Sequence, residues 1–339
     1  MAGLTYADSG VDRKQREKAK SHLEELKSTY SLSKYGKIIE TPFNTLYPIS
    51  DNGKYHVKTT DGIGTKVLLS QLANKHDTIG IDAIAMVVND CIRCGAEPIA
   101  LTDAIDIKKS TPELLYELQK GLSDGARQSN CPIVGGEVAD VPSLLNAEYH
   151  INCDCVGEVD KEKLIDGKKT GVGDVVIGLR SSGIHSNGLS LLRKALFTNW
   201  GGKYEAFAKP DGFDRELIFE ALEPTTIYVK DTLMIMKEFD IHAAINITGD
   251  AYLKFLKMGH GFEFNNFSPQ PIFDLIQKSG NVEEKEMFKT FNMGWGFALV
   301  VDKQDSEQVL NKLKNAETIG KVIANKEIVI QHKGKKLIL

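Results

Sequence analysis

The chain has 339 residues, 42% of them hydrophobic and 26% charged, with a formal net charge of −4. That length asks for two domains, the composition is that of a globular protein, and the acidic balance leaves no basic field for a nucleic acid partner. No apolar run reaches the roughly 20 residues of a membrane helix, and the polar N-terminal stretch lacks a signal-peptide core. A cytoplasmic protein with no membrane partner is expected.

Strand and helix patterns alternate along the first half. "YHVKTTDGIGTK" reads as a strand ending in a glycine-rich turn, and a helix follows from about Asp77 to Cys94. "EPIALTDAID" is a second strand. "TPELLYELQKGLSDGARQS" is a helix with Thr111 as N-cap and Pro112 at its first position. "CPIVGGEVAD" and "EYHINCDCVGEVD" return to strands. The charged, glycine-bearing "KEKLIDGKKTGVGD" then breaks the pattern, so a boundary is placed near Gly167, dividing residues 1–167 from 168–339.

The second half repeats the style. Helices are expected at about Asn187–Phe197, Thr225–Phe239, Pro271–Lys278 and Asp305–Lys314, with strands at "IHAAINITG", "FNMGWGFALVVD", "TIGKVIA" and "KEIVIQH". Both halves mix helix and strand, giving an α/β or α+β class, and no short repeat period is visible.

The five cysteines include a CxxC pair, Cys91 and Cys94, and a CxC pair, Cys153 and Cys155, with Cys131 alone. Two pairs could make a four-thiolate zinc site. The first pair lies on a helix-like segment and the second on one side of a strand, so reduced core thiols are the default reading. The P-loop, the Rossmann fingerprint, HExxH and GxSxG are all missing. Any phosphate chemistry here uses another architecture.

Three segments place carboxylates beside small residues. "TTDGIGTK" sets Asp61 at a strand end with Gly62 and Gly64 around it and Thr65 and Lys66 beyond, which suits phosphates and Mg²⁺; the bland alternative is a glycine turn with solvated charges. "VVND" embeds Asn89 and Asp90 in apolar helix, where a charge is costly unless paired or metal-bound. "IVGGEVAD" ends a strand in Gly135, Gly136 and Glu137, so that backbone can approach a ligand beside a carboxylate. A fourth segment, "SSGIHSNGLSLLRK", crowds small hydrogen-bonding residues where a helix begins. An N-cap would explain Ser186 or Asn187 alone; an anion cradle would explain the whole run.

These segments, with "YADSGVD", "HDTIGIDAIAMVVND", "GAEPIALTD", "EPTTIYVK", "GNVEEKEMFKTFNMGWGFALVV" and "IGKV", follow one another in an order that resembles the aminoimidazole ribonucleotide synthetase (phosphoribosylformylglycinamidine cyclo-ligase) family, in a form like the archaeal ones. The resemblance runs from Tyr6 to about Val322. It implies two α/β domains, with first-domain strands forming a barrel across a homodimer. It also implies ATP-dependent closure of formylglycinamidine ribonucleotide to aminoimidazole ribonucleotide, through phosphorylation of the formamide oxygen and attack by an amidine nitrogen. Carried over by position, Asp61 and Asp90 would be metal ligands, Thr65 and Lys66 phosphate contacts, and Asn89 their polar neighbour. Gly62, Gly64, Gly135, Gly136 and Glu137 would line the nucleotide. Ser182, Gly183, His185, Ser186 and Asn187 would hold the ribose phosphate, with Thr248 and Gly249 nearby. His185 and Lys66 are the expected catalytic side chains.

This chain departs from the family pattern in places. Ala7 stands where a lysine is usual, Ser9 where an alanine is usual, and Thr226 where an arginine is expected. A glycine- and phenylalanine-rich loop is replaced by "KYGKIIETPFNTLYPI", and three glycines after a threonine become Gly249, Asp250 and Ala251. Other readings stay open. A selenophosphate synthetase-like enzyme would want a reactive cysteine near the N-terminus, yet none precedes Cys91. A thiamine monophosphate kinase-like enzyme would share the acidic metal sites. A non-catalytic relative would account for the departures.

Overall fold

The alternation in Tyr149–Asp160 translates directly into an interior strand, with Tyr149, Ile151, Cys153, Cys155 and Val159 all buried on one face. The computed structural model describes residues 3–339, leaving aside the side chains of residues 20–23; Met1 and Ala2, which begin the polar N-terminal stretch, lie outside the described residues. In chain order the first half contains α1 (Arg13–Lys20), β1 (Ile39–Glu40), β2 (Thr45–Tyr47), β3 (Lys54–Gly62), α2 (Val67–Ala73) and α3 (Ile79–Cys91). It continues with β4 (Glu97–Ile107), α4 (Pro112–Ser129), β5 (Ile133–Asp140) and β6 (Tyr149–Asp160). The strands make one sheet in the order β1-β2-β3-β6-β4-β5, antiparallel except between β4 and β5. Within one chain this sheet is open, so the barrel implied by the resemblance is not closed here.

Helix α4 starts as expected: the Thr111 side chain accepts from the Leu114 amide, and Pro112 takes the first helical position. Helices α3 and α4 cross at glycines. A Cβ on Gly80 would lie 2.2 Å from the Leu122 amide nitrogen, and one on Gly121 2.7 Å from the Asp77 carbonyl. Only glycine permits that approach.

The second half contains β7 (Val175–Arg180), α5 (Leu189–Leu196), α6 (Leu217–Leu222), α7 (Val229–Glu238), β8 (Ile241–Asn246), β9 (Gly261–Phe264) and α8 (Pro271–Gly280). Then come α9 (Glu284–Thr290), β10 (Trp295–Val301), α10 (Ser306–Lys312), β11 (Ala316–Ile323), β12 (Ile328–His332) and β13 (Lys335–Ile338). The second sheet runs β13-β12-β9-β11-β7-β10-β8, with only β12–β9 parallel. Strand β10 is apolar throughout because both its faces are covered.

One face of the second sheet packs under α5, α6, α8 and α9 in an aromatic-rich core. Its other face, through Ile177, Leu179, Phe297 and Leu299, joins a core that also contains α7 and the α3 side of the first sheet. Two sheets thus share buried apolar surface, which holds the end of β3, the end of α3 and the loop after β7 in a fixed relation. All five cysteines are buried and free. Burial pushes the Cys94 thiol up to about 11 and raises Cys153 too, which suits inert core thiols.

Candidate active site

Asp61 ends β3 and Asp90 lies in the last turn of α3. Although Asp61 as a residue is exposed, its carboxyl is hemmed in, and burial raises it above the usual carboxylate range, with Asp90 adding to the rise. Lys254 and Arg93 pull the other way. Asp90 accepts from Asn246 Nδ2 at 2.8 Å and pairs with Arg93 at 3.1 Å. Lys254 donates to the Asn246 carbonyl and to Thr248 Oγ1; burial lowers its ammonium to about 8, against the attraction of Asp90. Among the described residues no group of three or more acidic, histidine or cysteine side chains is close enough to hold a metal by itself. Two partly desolvated carboxylates still fit Mg²⁺, which commonly takes one or two carboxylates and completes its shell with phosphate and water.

Lys66 is not where the resemblance would put it. Its ammonium is fully buried, 2.8 Å from Asp82 and 2.7 Å from the Glu223 carbonyl, so it does not present itself to a phosphate. Asn89 is likewise turned inward: its amide donates to the Thr226 carbonyl at 2.8 Å, and its oxygen accepts from the Tyr228 amide at 2.9 Å. It clamps the chain ahead of α7. Thr65 and Gly64 are exposed on the turn, and the Gly62 amide donates to Asp61 Oδ1 at 2.8 Å.

The Ser181–Gly188 loop is built from inside. Ser181 Oγ donates to Asn292 Oδ1 at 3.1 Å, and Asn292 Nδ2 donates to the Gly183 and Ile184 carbonyls at 2.8 and 3.3 Å. Ser182 Oγ donates to the Pro224 carbonyl at 2.5 Å. His185 adopts φ +63°, a left-handed conformation in which histidine is enriched. Its Nε2 accepts from the Ser182 and Thr226 amides at 3.2 and 3.4 Å. Burial, helped by the Lys66 charge, pulls the imidazole down to about 3. This disfavours a cationic His185 at the phosphate; with Nε2 accepting, the donor left to a neutral imidazole is Nδ1–H.

Helix α5 begins at Leu189, with Gly188 as N-cap at φ +77° and no side-chain cap. Neither Ser186 nor Asn187 does the capping, so the bland account of this run fails. Asn187 Oδ1 lies 3.4 Å from where a Cβ on Gly249 would stand, and Asn187 Nδ2 is buried without a partner. The loop and the Thr248–Ala251 turn thus meet.

That turn keeps a glycine-like path without the glycines. Asp250 has φ +67° and Ala251 φ +39°, each costing on the order of 1–2 kcal/mol. The added carboxylate is used: Arg16 approaches Asp250 to 2.6 Å and Arg13 to 3.4 Å, while Arg13 also reaches Glu286 at 2.8 Å. The N-terminal segment is so fastened beside the loop.

Gly135, Gly136 and Glu137 lie on β5, the free edge. Asp61, Cys153, Asp103 and Gly136 are successive cross-strand partners, so they share a face. Glu137, one residue on, faces the other way and does not join Asp61 and Asp90 within the chain. Sequence reasoning missed Asp82, Thr225, Asn292, Lys254 and the two arginines. A lone aspartate inside "IGIDAIAMVV" was the available signal, since a charge on so apolar a helix needs a buried partner.

Profiles of the AIR synthase related protein N-terminal and C-terminal domains match residues 44–159 and 171–333. Two solved structures share the fold: one in a HypE–HypF complex, with TM-score 0.63 and 19% identity over 87% of this chain and 92% of that one, and hydrogenase maturation protein HypE in complex with ATP, with TM-score 0.61 and 15% identity over 84% of each. A Pyrococcus furiosus protein named phosphoribosylformylglycinamidine cyclo-ligase is 42% identical, covering 99% of this chain and 100% of that protein. The chain belongs to the AIR synthase-related family, and within it to the phosphoribosylformylglycinamidine cyclo-ligases.

Proposed function

We propose that this chain closes formylglycinamidine ribonucleotide to aminoimidazole ribonucleotide with ATP, releasing ADP and phosphate, in cytoplasmic de novo purine biosynthesis. The observation that carries this reading is the meeting of the Ser182–Asn187 loop and the Thr248–Gly249 turn beside the Asp61–Asp90 pair. Full-length similarity to a named cyclo-ligase supports it.

Ser182, Gly183, Ser186 and Asn187, with Thr248 and Gly249, hold the ribonucleotide phosphate; the unpartnered Asn187 amide is the donor best placed to do so. His185 shapes the loop by accepting two of its neighbours' amides. Asp61 and Asp90 would hold Mg²⁺, which when bound would supply charge neutralisation for phosphoryl transfer. Gly62, Gly64 and Thr65, and Gly135, Gly136 and Glu137 on the edge strand, line the nucleotide. Lys66 acts from within its ion pair, as a support rather than a phosphate contact. The formamide oxygen gains the γ-phosphoryl group and ADP leaves. An amidine nitrogen then bonds to that carbon, the C–O bond breaks, and phosphate departs as the nitrogen loses a proton.

Residues 1–167 form the nucleotide and dimerisation domain, and residues 168–339 the substrate domain. The homodimer buries the first sheet, whose edge strand β5 is exposed along nearly its whole length, with Val134 at 64% and Val138 at 38% exposure. Its barrel is completed by the second copy's strands.

The test is ADP release with formylglycinamidine ribonucleotide and with thiamine monophosphate, side by side. Turnover with the first alone is expected. Turnover with thiamine monophosphate alone would replace this reading with a kinase, and turnover with neither would favour a non-catalytic relative.

A further inference from the structure

One carboxylate oxygen joins the two halves of the molecule. Asp82 Oδ1, on α3, accepts from the Thr225 amide at 2.8 Å, the Thr225 hydroxyl at 2.6 Å, the Ser186 hydroxyl at 3.1 Å and the Lys66 ammonium at 2.8 Å. The Asp82 and Lys66 side chains are both wholly buried. Asp82 Oδ2 has no hydrogen-bond partner.

Stability is a poor explanation for this arrangement. A buried ion pair is often no better than apolar residues of the same volume, and an unmatched carboxylate oxygen adds a further cost. Apolar residues could not, however, fix the positions of two hydroxyls and an amide. Those groups are placed with purpose. Ser186 lies between His185 and Asn187 in the cradle loop, and its Oγ is also 3.1 Å from Thr225 Oγ1. Thr225 precedes Thr226, whose amide donates to His185 Nε2. Lys66 closes the turn that starts at Asp61, and its second bond holds Glu223, two residues before Thr225. A displacement of the Asp82 oxygen would move the loop and the metal-side turn relative to each other.

We propose that Asp82 is a positioning residue for the ring closure: it sets the register between the turn that carries Asp61 and the loop that holds the ribonucleotide. This rests on the cyclo-ligase reading. Asp82 touches no substrate; it acts through Ser186 and Thr225. Three of the four bonds to this oxygen come from Ser186 and Thr225 on the loop side, so the ribonucleotide is the ligand that feels the loss of the Thr225 hydroxyl.

Two variants of the full-length protein test it, Asp82→Asn and Thr225→Val, by steady-state kinetics in each substrate with melting temperature measured alongside. Asn keeps an acceptor but leaves Lys66 uncompensated; Val keeps the threonine shape and removes only the hydroxyl. In both, KM for the ribonucleotide is expected to rise tenfold or more; in Thr225→Val, which leaves the Lys66–Asp82 pair intact, KM for ATP stays within about twofold. Thr225→Val is expected to melt within a few degrees of wild type, so its kinetic change is not a loss of fold; it decides the matter even where Asp82→Asn does not fold. A Thr225→Val enzyme with wild-type ribonucleotide KM, or an equal rise in both KM values, would overturn the role. A wild-type protein inactive on formylglycinamidine ribonucleotide would instead overturn the reading on which the role rests.

Discussion

Acid should destabilise this protein through His185 in a way that can be isolated. In the native state burial holds the imidazole down to about 3, against an ordinary value of 6.5. The charged neighbour in view is Lys66, which also opposes protonation. The depressed native value means that the unfolded chain binds the proton first. Stability from this group is therefore complete above about pH 6.5 and is lost as pH falls towards 3. Between about pH 7.5 and pH 5.0 the loss amounts to roughly 2 kcal/mol, at about 1.4 kcal/mol per pH unit below the unfolded value. The whole protein's stability also changes with pH through other groups, so the comparison must be with a variant. His185→Gln leaves an acceptor for the Ser182 and Thr226 amides and removes the titration. Urea unfolding at half-unit pH steps should show wild type taking up more protons on unfolding than His185→Gln, by about half a proton at pH 6.5 and about one at pH 5. The variant is also expected to be less stable at neutral pH, which shifts the curve but not its slope. Identical slopes would refute the reasoning, because they would mean that native His185 accepts a proton readily and could serve as a cationic phosphate ligand after all.

Three further outcomes are expected. Asp61→Asn and Asp90→Asn should each cut ADP release by about two orders of magnitude with a melting temperature within a few degrees of wild type, since each removes an anionic oxygen ligand; wild-type turnover at limiting Mg²⁺ would remove that residue from the metal site. Asp250→Gly should relax the left-handed turn, by about 1 kcal/mol, while releasing Arg13 and Arg16. Trypsin should then cut the first 37 residues faster at an unchanged melting temperature, and an unaltered cleavage rate would mean that other contacts hold the segment. In sedimentation equilibrium the protein should be a dimer at micromolar concentration, and Val138→Lys on the free edge should shift it towards monomer; a monomeric wild type would contradict the shared barrel.

Local physics made part of this legible in the chain. Thr111 and Pro112 mark the start of α4 because a cap hydroxyl and the Leu114 amide it accepts from are only three positions apart, and period-two burial in Tyr149–Asp160 needs only a covered face. The Ser-Gly-His-Asn run was visible as something more than a cap, and no side chain caps α5. Strands β1, β2, β9 and β13 span two to four residues each, too short for a periodic signal, and α6 and α9 carry six and seven residues without a side-chain cap. The site's electrostatics were a different matter. Whether Lys66 faces a phosphate or Asp82, and whether His185 is cation or neutral acceptor, depends on which groups share a buried volume, and burial and Coulomb energies are properties of distance in space. Asp82 meets Thr225 from 143 positions away and Arg16 meets Asp250 from 234. Residue types restrict what such groups are able to do; only the packed chain, by excluding water around some of them and leaving others wet, decides which of those things they do.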